Sequence, residues 1–119
     1  MTLTQCRQQL EATLTTAGLR VLPAGQAAPP SCFVVQGSPW VAPESLGAGM
    51  RGVSWVVVGV VAVASEAGIT DAEALADALV TACRSLPPPW GMPTIEAPGL
   101  LGLAGAQYLA FRATVQTII

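Results

Sequence analysis

The chain has 119 residues, 52% of them hydrophobic and only 10% charged, enough for about one domain with its own core and too apolar for charge-driven disorder. Its basic side chains are all arginine, five against seven carboxylates for a net charge of −2, and histidine is absent, so a basic footprint for nucleic acid has little to be built from. The missing types also exclude Ser-His-Asp and Cys-His catalysis, imidazole metal ligands, the Walker lysine and Schiff-base lysines.

Asparagine is absent too, which removes N-glycosylation, and Cys6, Cys32 and Cys83 are an odd number at wide spacing with no C-x-x-C. A reducing compartment fits best. The first residues carry Arg7 inside a glutamine-rich segment, unlike an export signal. Synthesis in the cytosol is therefore expected. The longest uncharged apolar run, 53–64, falls well short of the roughly 20 residues of a membrane-spanning helix.

In chain order, Leu3, Cys6, Leu10, Leu14 and Ala17 recur at three- and four-residue steps and predict an amphipathic helix, opened by a Thr2–Gln5 capping box and closed by Gly18. Leu19–Leu22 reads as a brief strand ended by Pro23, residues 23–30 as a loop, and Cys32–Gln36 as a second strand. Residues 37–52 are rich in glycine and proline and read as a long loop or hairpin-like arm carrying Trp40, Glu44 and Arg51. The run from Val53 to Ala64 is valine-dense, which favours a strand, and it is apolar on both faces. Thr70 and Glu73 suit a second capping box, followed by a helical stripe of Ala72, Leu75, Ala76, Leu79, Val80, Cys83 and Leu86. Pro87, Pro88 and Pro89 stop that helix and make residues 86–93 a proline-rich connector. A weak strand over Thr94–Ala97 follows, then a glycine-punctuated turn at 99–105. The last strand is Gln107–Ile119, in which Leu109, Phe111, Ala113 and Val115 alternate with polar neighbours.

The predicted architecture is thus a single α/β (α+β) domain, 1–119, in the order α-β-β-β-α-β-β. It is a mixed or antiparallel sheet of four to five strands with two helices on one face. Two such helices cover one face, so the second apolar face of the valine strand is expected to be left for a protein interface. Self-association is the leading inference from the residues alone.

The constellations with a chemical look have plainer explanations. Residues 47–52 spell G-x-G-x-x-G, but a dinucleotide site needs a strand before the glycines and a helix after them, and here a valine strand follows. Asp71, Glu73 and Asp77 suit the solvated start of a helix, where the macrodipole favours acids. The cysteines fit core positions. No catalytic, cofactor or metal residue is assigned, and the chain is not expected to be an enzyme. Trp40, Arg51 and Trp90 are the interface candidates, because tryptophan and arginine are enriched among interface anchors and these lie in predicted loops. Replacing Arg51 or Trp90 is expected to leave folding nearly intact and to weaken assembly.

The succession of an amphipathic helix into Gly18-Leu19-Arg20-Val21, a strand at 29–35, a glycine-rich loop, a long valine strand, the helix Asp71–Leu79 and a closing strand at 105–115 resembles the small tail terminator proteins of long-tailed phages and prophages. The resemblance covers nearly the whole chain as a pattern of elements and size. It implies a structural subunit that forms a hexameric ring on the last ring of tail-tube protein, stops elongation and offers a surface to the head connector, at the head-proximal end of the virion tail. Its partners would be sister copies, the tube protein and a neck protein, with no membrane and no sequence-specific nucleic acid. Scarce charge puts the weight of partner choice on shape and apolar contact. The rival readings are another head or tail completion protein, or a small cytosolic enzyme or ligand-binding dimer using Glu44, Glu66 or Asp71 as an acid.

Overall fold

The structure is a computed structural model and describes residues 1–26, 28–43, 49–63, 68–103 and 105–119. Helix α1 (Leu3–Thr16) starts on the predicted capping box: the Thr2 hydroxyl accepts from the Gln5 amide at 3.1 Å, and the Thr2 amide donates to Gln5 Oε1 at 2.9 Å. It ends at Ala17, with Gly18 at a φ of +92°, the left-handed conformation that costs glycine least. Its inward stripe is Cys6, Leu10 and Leu14, all fully buried, while the Ala17 end of the predicted stripe is exposed.

Strands β1 (Ser31–Pro43) and β2 (Arg51–Val63) form a long antiparallel hairpin. The 37–52 segment is therefore mostly strand, and its predicted loop shrinks to the hairpin end, of which 44–48 lie outside the described residues. Periodicity hides this because the ladder is interrupted. Gln36 pairs with Trp55 and the next pair is Val41 with Val53, so residues 37–40 bulge opposite Ser54 alone. Gly37 lies so close to Ser54 that a Cβ there would come within 2.7 Å of the serine Cβ. The predicted strand at 19–22 is only a parallel bridge of Val21 to Cys32, with Cys32 N donating to Arg20 O and Leu22 N to Cys32 O, both at 2.8 Å. Pro23, lacking an amide hydrogen, cannot continue it.

Helix α2 (Gly68–Cys83) begins two residues before the predicted cap. Thr70 is inside its first turn rather than at its boundary, and Gly68 is buried where a Cβ would come within 2.9 Å of Leu109 Cδ2. Ala72, Leu79, Ala82, Cys83 and, past the helix end, Leu86 are buried, much as the stripe predicts. The chain then adds β3 (Thr94–Ile95), β4 (Gly99–Leu103) and β5 (Ala106–Ile118). Strand β4, read from sequence as a turn, is a hairpin partner of β5: Leu103 pairs with Ala106, and Gly105 takes a φ of +79° in the tight connection.

The observed order is α-β-β-α-β-β-β, an α+β fold with a five-stranded antiparallel sheet. Across the sheet the strands run β1-β2-β5, with β3 and β4 sharing the outer side of β5. Both helices join one core layer with Cys32, Val34, Val53, Trp55, Val57, Phe111, Ala113 and Val115. Within it the Trp55 indole N–H donates to Cys6 Sγ at 3.3 Å. No helix among the described residues is long and apolar enough to cross a membrane.

Candidate interaction surface

The opposite sheet face carries its own smaller cluster: Phe33, Val56, Val58, Val60 and Ala110, with Val35, Leu101, Leu103 and Tyr108 packed against it. The expectation of a bare second face holds only in part. Val60 is fully buried, and Val56 and Val58 are only 4% and 5% exposed within a single chain. Strand β4 and the large side chains of neighbouring strands enclose the small valines without a third layer of helix.

What stays open on this face is an apolar groove of about 400 Å³. Val58 and Ala110 form its floor, Phe33 and Val35 of β1 one wall, and the 96–101 segment the other. Leu100 stands at its edge with 64% of its surface exposed. Glu96 and Arg112 are its charged lining, both exposed, and are joined through the backbone, Glu96 N donating to Arg112 O at 2.9 Å. The sequence reading misses this groove because its lining comes from four strands, one of which is disguised by Gly99 and Gly102.

The second exposed region is the described end of the β1–β2 hairpin. Arg51 is exposed and exchanges backbone hydrogen bonds with Ile119, at 2.8 and 2.9 Å, beside Met50, which is 47% exposed. Trp40, 38% exposed, comes off the β1 bulge and packs edge-to-face on Trp55, with ring centroids 5.8 Å apart and planes at 70°. It is a surface-facing extension of the core.

Trp90 corrects the reading of it as a free loop side chain. It is half-buried against the core layer and its indole N–H donates to Gln9 Oε1 at 3.0 Å, while the next residue's amide donates to Gln116 O at 2.8 Å. The 86–93 connector is thereby fastened to α1 and β5, and Trp90 serves the fold. Arg51 and Trp40 lie on the hairpin and Trp90 on the helix side, so the structure does not gather the three candidates into one patch.

The remaining polar groups among the described residues lie apart from one another. Asp71, Glu73 and Asp77 are exposed along the first turns of α2, and Glu44 and Glu66 lie outside the described residues. Among the described residues no three of His, Cys, Asp and Glu come together as metal ligands, and the one ion pair is Arg7–Glu11 at 3.4 Å, a helical i,i+4 contact. All three thiols are free and buried. Burial pushes Cys32 and Cys83 up to about 11, and Cys6 upward against the opposing hydrogen bond from Trp55, so they are held as inert thiols. At residues 47–52, of which 47 and 48 lie outside the described residues, the glycines run into strand β2 and not into a helix, so no helix N-terminus faces a phosphate there. No protein-family model and no curated protein matches this chain.

Proposed function

We propose that this protein is a structural subunit that assembles into a ring, a tail terminator that caps the tail tube of a long-tailed phage or prophage and offers a docking surface to the head. The observation that carries the reading is the presence on one chain of two separate exposed surfaces with apolar side chains, the hairpin end with Met50 and Trp40 beside Arg51 and the groove lined by Phe33, Val35, Val58 and Ala110. A subunit with two different contact surfaces is suited to head-to-tail association, which closes into a ring when the rotation between copies permits. The succession of elements along the sequence, with its resemblance to tail terminators, supports the same reading. So does the low charge, which leaves recognition to shape and apolar contact.

The test is negative-stain microscopy of the purified protein, with its mass in solution, alone and mixed with tail-tube protein. Sixfold rings, or density added at tube ends, are the expected result. A compact dimer stabilised by a small ligand in the groove, with no effect on tube ends, would refute the proposal.

A further inference from the structure

We infer that the outer edge of strand β4 pairs antiparallel with the same edge of a second copy of this chain, Leu101 meeting Leu101 on a twofold axis, so that one sheet runs through both subunits. The contact goes beyond the proposed function and stands apart from it, since it uses neither the hairpin end nor the groove floor.

The backbone supplies the first reason. Glu96 N donates to Arg112 O and Gly91 N to Gln116 O, so the even-numbered residues of β5 turn their backbone groups toward β3 and β4. Gly99, Leu101 and Leu103 lie opposite Ala110, Tyr108 and Ala106 and use theirs on β5. By the alternation of an antiparallel ladder, Leu100 and Gly102 point N–H and C=O outward. Among the described residues no strand or backbone group pairs with them. Donors and acceptors repeating at every second residue are satisfied by another extended strand.

The second reason is a contrast between the two sides of the sheet. The outer edge of β1 is blunted: Arg20 and Leu22 bond to it at Cys32, residues 37–40 bulge, and Pro39 and Pro43 lack an amide hydrogen. Such devices keep edge strands from pairing. In β4, residues 99–103 carry neither charge nor proline, and among the described residues no large apolar side chain is more exposed than Leu100, at 64%.

What selects a second copy is the residue pattern, Gly-Leu-Leu-Gly-Leu over 99–103. Turned about Leu101, every glycine faces a leucine: Gly99 meets Leu103 of the second copy, and Leu100 meets Gly102 of the second copy. Leu100 pairs with Leu109, which packs on the main core layer, so its side chain is on the helix side. There it would lie over the bare backbone of Gly102, where a Cβ would meet nothing within 4 Å. The Leu101 pair closes on the other face, where Leu101 and Leu103 already pack. In this register both outward residues bond fully, Leu100 with Gly102 of the second copy and the reverse. A slip one way brings Pro98, which has no N–H, into a bonding position, and a slip the other way runs into the turn at Gly105.

The experiment is a disulfide trap in the full-length chain. On the axis the two Leu101 Cα atoms would be about 4.5 Å apart, within the span of about 4.4–6.8 Å that a disulfide bridges. The two Leu103 positions would be offset along the strands by about 14 Å. Leu101→Cys is therefore expected to give an oxidised dimer in yield roughly tenfold above Leu103→Cys. The native thiols are buried and do not compete, and circular dichroism verifies folding of each variant. In the unaltered chain, exchange of the Leu100 and Gly102 amide hydrogens should slow roughly tenfold as concentration rises, more than that of Leu101 and Leu103, which are already bonded to β5. Gly102→Lys, with open space around it in the single chain, should keep the fold and weaken self-association roughly tenfold or more.

Equal yields from Leu101→Cys and Leu103→Cys, or Leu100 and Gly102 amides that slow only when tail-tube protein is added, would overturn the pairing. Rings or tube-end density without the Leu101 product overturn it too and leave the terminator reading standing. The Leu101 product without rings or tube-end density supports the pairing and overturns the terminator reading.

Discussion

Replacing Gly59 by alanine tests whether the helix-side core is packed as described. Gly59 lies on β2 directly opposite Phe111 of β5, and a Cβ built there would come within 2.5 Å of the ring Cζ and 2.7 Å of Cε1. Carbon atoms settle about 3.5–4.0 Å apart, so the ring must retreat by about an ångström. Phe111 is 3% exposed and belongs to the main core layer, so the retreat pushes into filled space. Overpacking of this kind costs about 1–3 kcal/mol, offset by about 0.4–1 kcal/mol from the stiffer unfolded chain. A net loss of about 1–2 kcal/mol is expected. Phe111→Ala alone should cost about 3–5 kcal/mol, but with the ring gone the added methyl has room. The double mutant should therefore be more stable than the sum of the single effects by about 1–2 kcal/mol. Urea unfolding followed by tryptophan fluorescence measures all four corners of the cycle. Additivity within about 0.5 kcal/mol, or a stabilising Gly59→Ala, would refute the packing argument.

Leu79→Ala, at a position 2% exposed on the inner side of α2, should lower stability by about 2–5 kcal/mol, read from the urea midpoint. Trp90→Phe keeps a ring but removes the donor to Gln9, and should cost about 0.5–1.5 kcal/mol; an unchanged midpoint would return Trp90 to the surface. The thiols should resist a disulfide reagent at pH 8 in the folded protein and react as three when denaturant is added. Their acidity also sets a pH dependence. With folded values near 11 for Cys32 and Cys83 against an ordinary 9.0, the folded state holds these protons longer than the unfolded chain. Stability owed to them is thus intact below pH 9 and falls between about 9 and 11. The decline approaches about 1.4 kcal/mol per pH unit for each thiol, and a flat midpoint from pH 8.5 to 10.5 would contradict it.

What could be read in advance was whatever rests on short-range pattern. The Thr2–Gln5 box and the stripe of Cys6, Leu10 and Leu14 define α1 within one segment, and valine density alone marks β2. Gly99 and Gly102 mislead because glycine ordinarily weakens a strand. Here β4 lies at the sheet margin, where open space beside both glycines demands no side chain. Thr70 and Glu73 imitate a helix start because their spacing is right, yet tertiary packing of Gly68 on Leu109 takes the helix back a further two residues. The burial of Trp90 is not legible in local pattern because its partner Gln9 is 81 residues away. The groove is subject to the same limit, since Phe33, Val58, Leu100 and Ala110 meet only through the strand order.

That strand order carries a consequence for biosynthesis. The segment that fills the middle of the sheet, β5, is translated after every other strand and helix described. Before residues 106–118 leave the ribosome, β2 lacks one neighbour, β3 and β4 have nothing to pair with, and Phe111, Ala113 and Val115 are missing from the core. Folding dominated by such distant pairings is slow and waits on the final contacts. A half-made chain consequently has no groove floor at Ala110 and no anchor at Ile119 for Arg51, so neither exposed surface is complete until translation has passed both.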